Sequence, residues 1–248
     1  MRKLYILLLL FIFLMKPAFA ARPLLTDDSE PVANGKILIE SGFIDQKNKE
    51  LDYSSYLTTS IKYGISNSMD IGIDIPYLNL KKNDADPVAG FSDFVIKSKI
   101  NILSPEDYFI GIALCLGTKL SNSSYEKGFG SGNADYFANI IFTKLFGDHK
   151  LHFNIGYTLV GDIPSQDFNN LVNYDLALEY KLIETIYLVG EITGSNHANR
   201  LIYSHPLLAI LGANWKISPT FTLDIGYGFG LNDASLKNYS TMGVTIGI

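Results

Sequence analysis

Cysteine is nearly absent from this sequence: Cys115 is the only one. That excludes a disulfide framework and a thiolate metal site. Cys115 sits between Leu114 and Leu116 and reads as a small interior residue. An excess of basic charge is missing as well. The formal net charge is −5, and an acidic chain is a poor match for nucleic acid. Catalytic signatures are missing too: there is no Gly-x-Ser-x-Gly, no His-Glu-x-x-His and no phosphate-binding loop. The four histidines, His149, His152, His197 and His205, are scattered. His197 and His205 flank one connection and read as solvated loop residues rather than a ligand pair. Neither an enzyme activity, a metal nor a cofactor is expected from these residues. Helical periodicity is absent, and beyond the N-terminus no apolar run approaches the length of a spanning helix.

The one long apolar run lies at the start. Arg2 and Lys3 precede Leu4 to Met15, and Ala18-Phe19-Ala20 follows as a small-x-small cleavage pattern. Residues 1–20 therefore read as a secretory signal peptide, a retained anchor being the alternative. No cysteine follows the cleavage site, so a lipoprotein is not expected. Cleavage leaves 228 residues, and losing Arg2, Lys3 and Lys16 moves the charge from −5 to −8. That length is one domain or one barrel.

What fills the mature chain is alternation. In Lys150–Gly161, Leu151, Phe153, Ile155, Tyr157 and Leu159 share one parity, and His152, Asn154, Gly156 and Thr158 share the other. Period two marks a strand with two unlike faces. Twelve such runs are expected, at 35–45, 51–65, 70–80, 90–103, 107–120, 134–146, 149–161, 170–183, 185–195, 201–217, 219–231 and 235–248. The connections between them alternate in kind. "SNSM", "SPED", "GDH", "IET" and "ISPT" are tight. "QKNKE", "KKNDADP", "SNSSYEKGFGSG", "DIPSQDFNN" and "SNHANR" are longer and polar; the last, "NDAS", is short. Tight turns on one rim and longer loops on the other are the asymmetry of an outer-membrane barrel. The expected fold is an all-β, transmembrane, antiparallel up-and-down barrel of twelve strands with both termini on the short-turn, periplasmic side.

Parity then sorts the faces. Outward aromatics near the short-turn end are Tyr63, Tyr108, Phe146, Tyr180, Trp215 and Phe221. Near the long-loop end they are Phe43, Tyr77, Tyr136, Tyr203 and Phe229. Between them lie Ile61, Ile73, Ile96, Ile112, Leu114, Ile140, Leu176, Leu178, Ala209, Leu211, Leu223 and Ile225, an aliphatic band with an aromatic ring at each edge. The opposite parity carries Lys62, Asp74, Asp93, Lys97, Lys99, Lys119, Asp135, His152, Asp175, Glu179, Lys181, Glu191, Lys216 and Asp224. A basic side chain at the midplane of the lipid face costs about 2–4 kcal/mol, so these charges belong to a wet interior. They are the candidate lumen-lining, solute-contacting residues, with cross-strand ladders as their structural alternative.

The segments "ARPLLTDDSEPVANGKILIE" (21–40), "AGFSDFVIKSKINIL" (89–103), "GFGSGNADYFANIIFTKLFGDHKLHFNIGYTLVGD" (128–162) and "VNYDLALEY" (172–180) carry a family likeness. The chain resembles the outer-membrane barrels labelled "transporter, putative MetA-pathway of phenol degradation" over most of its mature length. The mature start, Arg22-Pro23-Leu24 with Thr26-Asp27-Asp28, is the most specific part. Members of that family are taken to be outer-membrane channels, so the resemblance implies transport, without implying phenol as the solute. One departure is the end: such barrels usually close on an aromatic residue that the insertion machinery reads, and this chain ends Thr245-Ile246-Gly247-Ile248.

The expected function is passive uptake of a small solute, aromatic or hydrophobic ones included, across the bacterial outer membrane. The alternatives are a closed-lumen structural or lipase-like barrel and a soluble periplasmic lipid-binding barrel. Expected partners are outer-membrane lipid, the barrel-assembly machinery, periplasmic chaperones and the solute. Twelve strands give a backbone radius of roughly 12 Å, which side chains narrow or fill. The inward glycines Gly111, Gly117, Gly156, Gly226, Gly228 and Gly247 either widen the bore or make room for large neighbours. Residues 21–34 are acidic and precede the barrel at 35–248. They are either a loose periplasmic tail or a lumen plug, with Arg22 on interior carboxylates and Asp27 and Asp28 on Lys97 or Lys99.

Overall fold

The computed structural model describes residues 22–47, 53–81, 86–161, 168–197 and 205–248. Their strands are β1 (Ile37–Lys47), β2 (Tyr53–Ser66), β3 (Met69–Lys81), β4 (Val88–Phe91), β5 (Val95–Leu103), β6 (Gly111–Lys119), β7 (Asp135–Phe146), β8 (His149–Leu159), β9 (Leu171–Ile183), β10 (Ile186–Ser195), β11 (Leu207–Ser218), β12 (Phe221–Gly230) and β13 (Asn238–Gly247). All pairings are antiparallel. The first strand joins the last, with Leu38 opposite Gly247 and Lys47 opposite Asn238. With β2 on β3 the circuit is complete. Closure pairs both edges of every strand but β4, which pairs with β3 alone, and closure is the condition for a sheet that sits in hydrocarbon.

Thirteen strands make twelve staves, because β4 and β5 share one. β4 pairs with Tyr77–Leu80 of β3 and β5 with Met69–Asp74. The uninterrupted run expected over 90–103 is therefore broken at residues 92–94. Pro76 supplies the reason. Ser92 N donates to Pro76 O at 2.9 Å, but proline has no N–H to return, so the ladder opens at that point. Other boundaries also move. β6 starts at Gly111 rather than 107, since the amides of Asp107 and Tyr108 both turn back onto Ser104 O. β11 starts at Leu207, just after Pro206; residues 201–204 lie outside the described residues, and Tyr203 with them.

The hairpins at 67–68, 147–148, 184–185 and 219–220 leave two residues between strands, and 104–110 leaves seven. Gly147 holds φ at 60° in one of these turns, a backbone state that costs glycine little. The opposite rim carries the longer connections, including 120–134. Ile37 and Ile248 exchange both backbone hydrogen bonds at the short-turn rim, at 3.0 and 2.8 Å.

The faces are inverted relative to a water-soluble protein. Ile61, Ile96, Ile140, Leu176, Leu178, Leu211 and Ile225 are exposed on the outside, and Ile73, Ile112, Leu114, Ala209 and Leu223 are half-buried there. Tyr63, Tyr108, Phe146, Tyr180 and Trp215 are exposed towards one end, and Phe43, Tyr77, Tyr136 and Phe229 towards the other. Phe221 is half-buried. Inside, Glu40, Lys62, Asp70, Lys99, Lys150, His152, Glu179, Glu191 and Asp224 are buried. An apolar outside with a charged inside is stable only when lipid is the solvent.

Candidate functional site

The lumen is occupied by the chain's own N-terminal segment. Near the short-turn rim the carbonyls of Val32 and Ala33 lie against Gly64, where any side chain would collide with them. Val32 N donates to Asp70 Oδ2 at 2.8 Å. Glu30 pairs with Lys150 at 2.6 Å. Ser29 rests on Gly111, its amide donates to Thr143 Oγ1 at 2.9 Å, and its carbonyl accepts from Asn101 Nδ2 at 2.7 Å. Lys99 Nζ reaches Asp27 at 3.1 Å, Asp28 Oδ1 at 3.3 Å and the Asp28 carbonyl at 3.0 Å. Glu191 accepts the amides of Leu25 and Thr26 at 2.8 and 2.7 Å, and the Thr26 hydroxyl as well. Leu24 packs with Ala177 and Val189. Pro23 covers Gly212 and Gly226.

At the tip, the Arg22 guanidinium lies over Gly42 and Gly243, where an added methyl group would overlap it. Its Nη2 donates to Asp224 Oδ1 at 3.4 Å, to Thr241 Oγ1 and to the Met242 carbonyl. Arg22 Nε and Asp224 Oδ2 are buried without a hydrogen-bond partner, so the tip is held more loosely than the middle. Residues 22–33 thus touch all twelve staves, the β4–β5 stave through Lys99 and Asn101. The glycines matter because a backbone or guanidinium can approach a wall only where Cβ is missing.

Burial alone would push the Asp27 and Asp28 carboxyls up. The Lys99 ammonium outweighs it, with help from Lys62 at Asp27 and Lys150 at Asp28, and holds both below the usual aspartate range. Both are therefore carboxylates at neutral pH, and the contact with Lys99 is fully charged. Two carboxylates on one cation, with a backbone carbonyl completing its donors, is a charge-assisted cluster.

The remaining expected lumen residues pair mostly along the wall. Lys62 meets Glu40 at 2.6 Å and Lys97 meets Asp74 at 2.7 Å. Lys119 lies between Asp93 at 3.4 Å and Asp135 at 3.2 Å. Asp175 accepts from the Thr193 hydroxyl. Lys181 binds Asp148 and Glu184 at the short-turn rim. Of the two lysines weighed as partners for Asp27 and Asp28, the contacts fall on Lys99. Five of the six inward glycines make room rather than bore: Gly117 lies under Phe137, Gly156 under Asn139 and Asn173, and Gly228 against Ile210 and Tyr239, as Gly111 and Gly226 lie under the segment.

Thr143, His152 and Glu179 form a buried run. Thr143 Oγ1 and His152 Nδ1 are 3.0 Å apart, and His152 Nε2 and Glu179 Oε1 are 3.2 Å apart. Hydroxyl, imidazole and carboxylate in this order have the composition of an activated nucleophile. Thr143 and His152 are 0% and 1% exposed, however, and the hydroxyl is occupied by the Ser29 amide. The hydrogen bonds assign a role instead: Thr143 accepts from Ser29 and donates to Nδ1, leaving Nε2–H for Glu179. The run braces the segment.

At the other mouth, residues 120–134 fold onto the break in the β4–β5 stave. Asp93 accepts from Ser123 N at 3.0 Å, Ser123 Oγ at 2.6 Å and Ser131 N at 3.1 Å. Phe129 is buried over Gly90, and its carbonyl accepts from Ser92 Oγ at 2.6 Å. Sequence reasoning found Asp93 but not this loop contact. It also missed Glu30, Asp70, Asn101, Thr143 and Lys150. The inward parity of the last four was the available signal.

Fold and faces define a class: a closed, twelve-stave transmembrane barrel of the outer-membrane type. Residues 29–246 match the profile of the family described as "Putative MetA-pathway of phenol degradation", and the chain belongs to that family. Among solved structures it is similar to an outer membrane channel from Pseudomonas putida F1, with a TM-score of 0.75 at 9% identity over 89% of this chain and 98% of that one. It is also similar to the KdgM porin in complex with disordered oligogalacturonate, with a TM-score of 0.56 at 8% identity over 85% and 98%. A third is the translocator domain of the autotransporter NalP from Neisseria meningitidis, with a TM-score of 0.50 at 11% identity over 86% and 88%. These likenesses are of fold. A search of curated protein sequences gives no match.

Proposed function

We propose that the protein is an outer-membrane channel for passive uptake of a small solute, and that residues 22–33 are its plug. The observation that carries this reading is the contact of one short segment with every stave of the wall. A structural barrel has no need of a lumen lined by glycines at the points where a separate segment crosses. Channel and porin folds among its structural relatives support the same reading. The wall also carries inward apolar patches. Ile44, Leu208, Ile210 and Tyr239 form one, with Tyr56 against it, and Ala113, Cys115 and Ile141 form another, with Phe137. Beside the charged ladders they suit a solute with an aromatic or aliphatic body. The family's phenol label agrees in chemistry.

In this reading the signal peptide, residues 1–20, is removed on export. Periplasmic chaperones and the barrel-assembly machinery deliver the barrel, and the longer loops face outside. Deletion of residues 21–28 is the direct test. The truncated barrel should assemble, show heat-modifiable migration on gels and conduct more than the full mature protein in planar bilayers. Liposome swelling with phenolics, fatty acids and sugars then names the solute class. The filled lumen favours one rival, a closed structural barrel. Normal assembly with no conductance before or after truncation would decide for it.

A further inference from the structure

The segment that fills the lumen ends on a cation, and that cation sits among acceptors. Arg22 Nη2 donates to Asp224 Oδ1, to Thr241 Oγ1 and to the Met242 carbonyl. Gly42 and Gly243 leave the wall bare beneath the guanidinium. The seat is not full. Asp224 is 5% exposed, and its Oδ2 is buried with no donor. A buried carboxylate oxygen left unpaired is costly until an N–H reaches it.

The approach to this seat from the long-loop end is apolar. Ile44 lies opposite Thr241 across the β1–β13 ladder, and Tyr239 precedes Thr241 by two residues on the same face. With Leu208 and Ile210 they form one buried cluster, and Tyr56 packs against it. The charges beside the cluster have one sign. Glu191 lies opposite Ile210, and Asp175 is in line with Leu208 through Thr193. Among the described residues, the basic side chains that β9–β13 and β1 turn inward are Lys181 and Lys216, both near the short-turn ends of their strands. Carboxylates attract a cation, and the two phenol rings add to that attraction. An anion entering along this side of the wall is repelled.

We propose that the solute of this channel is an organic cation, an ammonium or guanidinium group on an apolar body, and that Arg22 holds its seat as a tethered mimic. The inference rests on the channel reading and names the solute class within it. A solute arriving from outside passes the apolar cluster and brings its first N–H to Asp224 Oδ2. It then takes over Asp224 Oδ1 and Thr241 as the guanidinium withdraws. Arrival of the solute and departure of the tip are one exchange, in which the buried acceptors are never left bare. A neutral solute brings no charge to that exchange, and a carboxylate opposes Asp224.

The test is single-channel recording of the full mature protein in planar bilayers. Benzylguanidinium, phenylacetate and benzyl alcohol, which share one ring body, are added on the long-loop side. A seated solute interrupts the ionic current. Benzylguanidinium should half-block at a concentration about tenfold below that of either other probe, the ratio one charge-assisted hydrogen bond supplies. Arg22→Gln removes the mimic and should lower the half-blocking concentration of benzylguanidinium further, by a comparable factor. In the Arg22→Gln protein, Asp224→Asn should abolish the preference for the cation, and Asp224→Glu should keep it. Heat-modifiable gel migration checks that each variant is a folded barrel. Equal block by the three probes, or a cation preference that survives Asp224→Asn, would overturn the proposal and leave the channel reading in place. No current from either the mature protein or the Arg22→Gln variant would instead overturn the channel reading, and this inference with it.

Discussion

Lys99 ties the N-terminal segment to the wall through two carboxylates and one carbonyl. Its side chain is 6% exposed and faces two carboxylates from the N-terminal segment. Breaking a buried ionic cluster by removing one partner costs about 3–5 kcal/mol, because the other charge is left unpaired. Lys99→Met strands two carboxylates, so it should raise single-channel conductance more than Asp27→Asn with Asp28→Asn, which leaves one ammonium with a carbonyl still on it. Equal conductance in the two variants would mean that the cluster does not hold the segment. The same carboxylates set an acid limit. Both are held below the usual aspartate value in the docked state, so their contribution to docking is complete above about pH 4, the unperturbed value. It is lost as the pH falls from there through the lowered docked value. Conductance should therefore be flat from about pH 7 to 5 and rise below about 4. A rise between pH 7 and 6 would show that these carboxylates do not set the limit.

At the scale of elements, the break opposite Pro76 turns one stave into a mooring for the longest described loop. Asp93 receives three donors from that loop and one from Lys119. Asp93→Ala should release residues 120–134 and make them sensitive to protease while the barrel stays heat-modifiable; unchanged resistance would show that Phe129 alone suffices. The wall itself gives a contrast of faces. Leu114→Arg and Leu176→Arg point into hydrocarbon and should each cost about 2–4 kcal/mol of folding into bilayers. Thr158→Arg, on the inward parity, should cost far less, and comparable losses at all three positions would refute the assignment of faces. This level was the most legible in the sequence. Alternation at period two names the inward residues before any contact is known, and turn residues sort the two rims. Strand ends read less well: Pro76 breaks a ladder belonging to its neighbour, an effect invisible in residues 90–103 themselves. Partners across the lumen read least well. Glu191 stood out as an inward position only and Thr143 not at all, because the path of the segment decides what they touch and no local period encodes that path.

For the whole molecule, the segment is attached. Gly35, with φ at 73° and open space around it, joins residues 22–33 to β1, and its amide is pinned to Gly64 O at 2.8 Å. Leaving the lumen is then an intramolecular event. A short tether keeps residues 22–33 at an effective concentration of order millimolar, so a segment weakened by one contact should return quickly instead of diffusing away. Openings should be brief and frequent, a flicker rather than a lasting open state. A synthetic copy of residues 21–34 added from solution would have to reach that millimolar range before it could compete for the same lumen.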